Sequence, residues 1–126
     1  MLLKELVDLL DAKVFTKDLY DPMRKTNYAF SCDLMSDALM LLRNSPFYFC
    51  DEGVLVTGLA TVQGIRTAEI LDINIIVLVR GKCPNQSTIE EAQRLGITII
   101  GTTLTMFSTN GRMFVNGIKG LSDLDE

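Results

Sequence analysis

The sequence contains no histidine. This absence removes the commonest general base of enzymes, the commonest metal ligand and the side chain that titrates near neutral pH. The other residues supply no nucleophile paired with a base and no complete catalytic motif. The sequence therefore predicts a protein that is not an enzyme, with no catalytic residues, no metal and no cofactor.

Basic charge, cysteine and long apolar segments are also scarce. Lys and Arg number 12 against 16 Asp and Glu, a net charge of −4, whereas nucleic-acid binding requires a basic surface. The three cysteines are too far apart for a zinc knuckle or a redox pair. No apolar stretch approaches the ~18 residues of a membrane span, and the charged N-terminal segment does not resemble a signal peptide. These features predict a cytoplasmic protein that binds neither nucleic acid nor membranes.

The length and the 48% hydrophobic content suit one domain with its own core. We expect this domain over residues 1–121 and a short acidic tail over 122–126. From residue 53 onward, short apolar runs alternate with amphipathic segments. The runs at 54–57, 74–79 and 97–100 are typical of strands buried on both faces. Such consecutive βα units predict an α/β fold of three layers with a mainly parallel sheet.

Several helix boundaries can also be predicted. Ser87 and Glu90 have the spacing of a capping box at a helix start. Ser31 or Asp33 is expected to cap an earlier helix over 34–42, whose apolar composition predicts that it is covered on most sides.

The last helix is expected to begin at a cap formed by Thr102 or Thr103. It would then direct apolar side chains toward the core, namely Met106, Phe107, Met113 or Phe114.

A binding site is expected at the carboxyl ends of the parallel strands, where ligands of open α/β sheets collect. The loops selected by this rule are 57–63, 80–84 and 101–105. Their cations, hydroxyl groups, glycines and helix N-termini suit a phosphate or a carboxylate. The candidate ligand-binding residues are Thr57, Gly58, Thr61, Gln63, Arg80, Lys82, Thr102 and Thr103. The alternative is that the hydroxyl residues simply cap helices.

Other motifs give weaker signals. A Walker A loop has four residues between its glycines and a lysine directly after the second, whereas Gly58 and Gly64 are separated by five residues and followed by Ile65. A phosphoryl-transfer site is therefore not expected. Asp33 and Asp37 have a spacing that suits a hard cation, but such sites recruit more oxygen ligands, so structural roles are favoured. Cys83 follows Lys82, and one neighbouring charge leaves its reactivity open.

The chain resembles the DRTGG-domain family over nearly its whole length. The segments that carry this resemblance are SCDLMSDALM, VLVTGLATVQGIRTAEILDINIIVLVRGKCP, IEEAQRLGITIIGT and TMFSTNGRMFVNG. It looks like small stand-alone bacterial proteins of the "SDLLSDVM" type, and is similar to the N-terminal domain of HPr kinase/phosphorylase and the central domain of long phosphotransacetylases. The chain departs from the motif that names the family, because Gly58 to Val62 stand where Asp-Arg-Thr-Gly-Gly would follow the strand.

The resemblance implies an accessory or regulatory α/β domain that self-associates, without kinase activity. Together with the loop residues, it predicts a non-catalytic regulatory or sensory module that binds a small anionic metabolite or nucleotide and acts as a homodimer. The alternative is a protein-interaction adaptor without a small ligand. The aromatic residues 47–49 and the methionine-rich helices favour this adaptor, and the resemblance implies an association with redox or hydrogenase systems.

Overall fold

A computed structural model describes residues 1–43 and 52–123 of the chain. The predicted aromatic cluster at 47–49 lies outside these residues. The helices and strands alternate as α1 (Leu3–Leu10), β1 (Lys13–Val14), β2 (Tyr28–Ser31), α2 (Met35–Arg43), β3 (Gly53–Thr57), α3 (Val62–Ile70), β4 (Ile75–Leu78), α4 (Gln86–Leu95), β5 (Thr98–Gly101) and α5 (Met106–Val115). Short 3₁₀ turns cover Lys17–Leu19 and Leu121–Asp123. None of the helices in the described ranges combines the length and the apolar character needed to cross a membrane.

The strands form one sheet in the order β1-β5-β4-β3-β2. Strands β2 to β5 are parallel, and β1 pairs antiparallel with β5 at one edge. Each helix between parallel strands returns the chain to the same end of the sheet, as βα units require. The predicted α/β fold with a mainly parallel sheet is therefore confirmed.

The parallel strands are buried because alternate side chains point to opposite faces and helices cover both. One face packs against α2, α3 and α4 through Leu55, Ile76 and Ile99. The other packs against α1 and α5 through Val54, Ile75 and Ile100. Burying each such side chain stabilises the fold by roughly 1.5–3 kcal/mol. Consecutive β-branched residues in β4 and β5 thus serve two cores at once.

The predicted capping box of α4 is wrong. The side chain of Asn85 caps this helix, because its oxygen accepts a hydrogen bond from the amide of Thr88 at 2.9 Å. Ser87 lies inside the first turn of α4, so it cannot occupy the cap position. Asparagine is at least as good a cap as serine, and here it comes two residues earlier. Gly96 ends α4 in the left-handed conformation.

Two other predicted caps are also wrong. Helix α2 begins at Met35, and the Ser31 hydroxyl donates instead to the side-chain oxygen of Asn110 on α5. The start of α5 is capped by Thr105, whose hydroxyl accepts a hydrogen bond from the amide of Ser108. A polar residue near a helix start can therefore bond to a neighbouring element instead, and the local sequence does not show which element lies nearby.

Helix α2 is not covered on most sides, contrary to the prediction. Its core contacts come from Met35, Ala38 and Leu42, which lie on one face. Leu34 and Leu41 are 58% and 51% exposed, because α2 follows the edge strand β2 and packs against α3 on one flank.

Helix α5 was also predicted to bury more than it does. Met113 is buried, but Phe107 and Phe114 are exposed. Thr109 and Met113 are the buried residues of α5, and the phenylalanines lie on the opposite side. The apolar composition of this helix therefore misled the prediction of its inward face.

Candidate functional site

The loops that follow β2, β3, β4 and β5 lie along one edge of the sheet, because these strands are parallel. The strand order places them in the sequence β5, β4, β3 and β2 along this edge. We call this the carboxyl edge. The three predicted loops are therefore neighbours, and the loop after β2 joins them.

Arg80 crosses the loop after β3 to approach an acidic residue of the loop after β2. Its Nη2 atom lies 3.8 Å from Oδ2 of Asp33, and the two side chains are 49% and 54% exposed. The guanidinium passes over Gly58, where a Cβ atom would lie 2.2 Å from Nη2 of Arg80. A side chain at position 58 would therefore displace the end of the Arg80 side chain from this position.

Asp33 also holds the loop after β3. Its Oδ1 atom accepts hydrogen bonds from the amide of Gly58 at 2.6 Å and from the hydroxyl of Thr57 at 3.2 Å. The predicted role of Asp33 as a helix cap is wrong, because the carboxylate faces the neighbouring strand end instead. Asp37 lies exposed in the first turn of α2. Within residues 1–43 and 52–123, no group of three or more Cys, Asp or Glu side chains could hold a metal ion.

The backbone of Arg80 is in the left-handed region, with φ of 62°, and Gly81 follows with φ of 70°. The conformation costs a residue with a Cβ atom about 1 kcal/mol. It is maintained by hydrogen bonds from the amide of Arg80 to the carbonyl of Leu104 and from Gly81 to the carbonyl of Thr102. The loop after β5 therefore fixes the direction in which Arg80 leaves the sheet.

The hydroxyls of Thr57 and Thr102 are buried and already bonded within the chain. Thr57 donates to Asp33 and accepts from the amide of Leu59. Thr102 donates to the carbonyl of Leu10 at 2.7 Å and accepts from the amide of Leu104 at 3.2 Å. Both threonines shape the loops, but neither caps a helix, because the cap residues of α3 and α5 are Thr61 and Thr105.

Lys82 lies on the other side of Arg80, at a cavity of about 170 Å³. The cavity is lined by Asp11, Lys13, Phe15, Gly81, Lys82, Cys83, Gly101, Thr102 and Thr103. Thr103 is exposed there, whereas Thr102 is buried. Cys83 is an exposed free thiol whose Sγ lies 3.6 Å from the carbonyl oxygen of Gly81. Three of the predicted binding residues, Lys82, Thr102 and Thr103, thus line one cavity.

Lys13 and Asp11 were not predicted at this edge. Lys13 reaches it because β1 runs antiparallel to β5 and places Lys13 opposite Gly101. Its Nζ atom lies 5.2 Å from the centre of the Phe15 ring, a cation–π contact that keeps the ammonium near the cavity. The sequence does not indicate with which strand such a short edge strand pairs, so the position of Lys13 was missed.

Thr61 and Gln63 lie at the start of α3, beyond the Gly58 loop. Thr61 is the exposed cap residue of α3, but its side chain makes no capping hydrogen bond. Gln63 is exposed in the first turn. Neither lines the cavity of Lys82. The predicted residues therefore form two groups, one around Arg80 and Gly58 and one around Lys82 and Thr103.

No protein-family model and no curated protein sequence matches the chain. A similar solved structure contains the CBS and DRTGG domains of the regulatory region of Clostridium perfringens pyrophosphatase, complexed with its activator, diadenosine tetraphosphate. The two structures align with a TM-score of 0.63 at 14% sequence identity, over 98% of this chain and 50% of the other. The chain therefore spans half the length of that regulatory region. The similarity confirms a DRTGG-like α/β fold.

Proposed function

We propose that this chain is a non-catalytic regulatory or sensory module. It binds the phosphate or carboxylate groups of a small anionic metabolite or a nucleotide at the carboxyl edge of the sheet, and it acts as a homodimer. The binding residues are those of the three loops, with Arg80 and Lys82 as the charged contacts. The observation that carries this proposal is the position of Arg80.

Arg80 combines an unfavourable backbone conformation with a weakly paired guanidinium. Its contact with Asp33 is long and half exposed, and such ion pairs contribute at most about 1 kcal/mol. A phosphate offers the same guanidinium two short, charge-assisted hydrogen bonds. Strained residues persist where the surrounding structure enforces them, and they cluster at binding sites. An anion therefore replaces Asp33 as the partner of Arg80.

The cavity beside Lys82 has room for one anionic group. Its volume of about 170 Å³ is well below the roughly 300–1,000 Å³ of pockets that enclose whole ligands. The rest of the ligand lies along the open edge toward Gly58, Thr61 and Gln63. Thr57 and Thr102 contribute by holding the loops in place.

The similar pyrophosphatase region supports the regulatory part of the proposal. It is a regulatory region and its structure was determined with a nucleotide activator bound. The present chain has the same fold and no histidine to serve as a general base. Binding without catalysis is the simplest function that accounts for both facts.

Thermal unfolding in the presence of ligands tests the proposal. We expect diadenosine tetraphosphate, mononucleotides or acyl phosphates at millimolar concentration to raise the Tm, because ligand well above its Kd stabilises the folded state. Lys82→Ala should reduce the shift. Lys17→Ala removes the same charge from the 3₁₀ turn after β1, near the other end of the sheet, and should leave the shift unchanged. The absence of any shift with the wild-type chain would argue against the site.

A protein-interaction adaptor is the second candidate, favoured by two exposed leucines, Leu34 directly before α2 and Leu41 on it. An adaptor would retain a partner from cell lysate through this helix. A Leu34→Glu, Leu41→Glu variant should lose that partner while its Tm stays unchanged. Retention of the same partner by both proteins would exclude α2 as the contact.

A further inference from the structure

Helix α5 contains a glycine at a position where a larger side chain would clash with nothing in the same chain. Gly111 lies in the middle of the helix, where glycine is less favourable than alanine because it loses more backbone entropy on folding. A Cβ atom at this position would have no neighbour within 4 Å among the atoms outside the helix's own turn. The helix thus has an open spot on its surface at a cost to its own stability.

Two phenylalanines lie on the same side of α5 as Gly111. Phe107 is four residues earlier and Phe114 three residues later, a spacing that places all three on one helix face. Their side chains are 86% and 60% exposed, although phenylalanine is usually buried. The three residues line one cavity of about 350 Å³ between α5 and the C-terminal segment. The surface therefore carries both projecting rings and a recess.

Charged residues of both signs lie at the rim of this cavity. Lys119 and Asp123 line it and are exposed. The backbone of Lys119 is fixed to the edge of the sheet, because it accepts a hydrogen bond from Ala29 and donates one to Asn27. The rim is consequently part of the folded domain and not a separate segment.

We infer that a second copy of this chain docks on the surface formed by Phe107, Gly111, Phe114, Lys119 and Asp123, which we call the α5 face. A two-fold contact brings each patch against itself, so it requires a surface that is complementary to itself. The α5 face offers this, because rings can enter the partner's recess and Lys119 can face the partner's Asp123. Gly111 lets the two helices approach closely. The inference rests on the homodimer of the proposed function and locates its interface.

Sedimentation equilibrium of the full chain tests this interface. We expect wild-type protein at about 100 µM to have twice the 14.0 kDa mass of one chain, with dissociation on dilution. Phe107→Glu combined with Phe114→Glu should give the mass of a single chain. Ile70→Glu changes a residue of α3 that is 56% exposed, away from the α5 face, and should remain a dimer. A monomeric wild type, or a phenylalanine variant that still dimerises, would overturn the inference.

Gly111→Ala provides a second test that does not depend on introducing charge. The added methyl group should raise the helix content and the Tm of the monomer, while it weakens the dimer about tenfold or more because it separates the helices. An unchanged dimer dissociation constant in this variant would contradict close helix approach at Gly111.

The dimer and the ligand can fail separately. A wild type that dimerises through the α5 face but shows no Tm shift with any anionic ligand would refute the ligand part of the proposed function and leave the interface standing. A wild type that binds nucleotide as a monomer would refute the interface and leave the ligand site standing.

Discussion

At the scale of single residues, the arrangement of the carboxyl edge depends on Arg80. Three features fix the position of its guanidinium. The backbone of Arg80 is left-handed, Gly58 leaves space beneath the guanidinium, and the carboxylate of Asp33 lies beyond it. None of them improves packing in the core. Together they keep a cation half exposed at the end of a buried strand.

Replacing Arg80 by asparagine separates binding from stability. Asparagine tolerates the left-handed region better than arginine does, so we expect the free energy of unfolding to stay constant or to rise by up to about 1 kcal/mol. The guanidinium is lost, and anion binding should be lost with it. Urea unfolding and a ligand titration on the same preparation measure both quantities. A large loss of stability would show that Arg80 is mainly structural.

In the proposed binding mode, Asp33 competes with the anionic ligand for Arg80. Asp33→Asn keeps an oxygen that accepts the hydrogen bond from Gly58 but removes the negative charge. We expect anion affinity to rise about fivefold, since two charges about 4 Å apart in water interact by about 1 kcal/mol. The matched control is Asp37→Asn, which makes the same charge change on the exposed surface of α2. Equal affinity changes in the two variants would mean that only net charge matters.

At the scale of elements, the start of α4 gives a direct comparison between a sequence motif and the observed cap. Asn85→Ala removes the observed side-chain cap and should cost about 1 kcal/mol of unfolding free energy. Ser87→Ala changes the residue of the predicted capping box and should have almost no effect. Urea denaturation of both variants measures the difference. A larger loss of unfolding free energy in Ser87→Ala than in Asn85→Ala would support the capping box instead.

The strands were predictable because burial on both faces leaves a continuous apolar run. Residues 74–79 contain β4, and residues 97–100 overlap β5 except for its final glycine. Helix starts were less predictable, because Ser31 and Asp33 bond to α5 and to the β3 loop rather than to their own helix. The inward face of α5 was also missed, since its apolar residues lie on both sides of the helix.

The location of the candidate site followed from a general property of parallel sheets, so its loops could be predicted. The burial and the hydrogen bonds of each side chain could not be predicted. Thr57 and Thr102 are buried and bonded, which depends on the carboxylate of Asp33 and the carbonyl of Leu10 in distant parts of the chain. Lys13 arrives through a two-residue strand whose antiparallel pairing with β5 is not indicated by the local sequence. Contacts between residues far apart in the sequence therefore decide which polar groups remain available.

At the scale of the whole molecule, two surfaces serve two proposed partners. The carboxyl edge presents cations and backbone amides, and the α5 face presents aromatic rings beside charges of both signs. The segment 102–105 connects them directly, because it accepts hydrogen bonds from Arg80 and Gly81 and then caps α5. A ligand at the proposed site would thus contact the loop that begins the helix of the proposed interface.

Isothermal titration calorimetry with diadenosine tetraphosphate and with acetyl phosphate tests the central claim most directly. The account predicts saturable binding to the wild-type chain with a Kd below about 1 mM for at least one of the two ligands. It predicts loss of that binding when Arg80→Asn and Lys82→Ala are combined, and normal binding by Lys17→Ala. Binding that persists in the double variant, or no heat of binding with wild-type protein, would contradict the assignment of an anion site to the carboxyl edge.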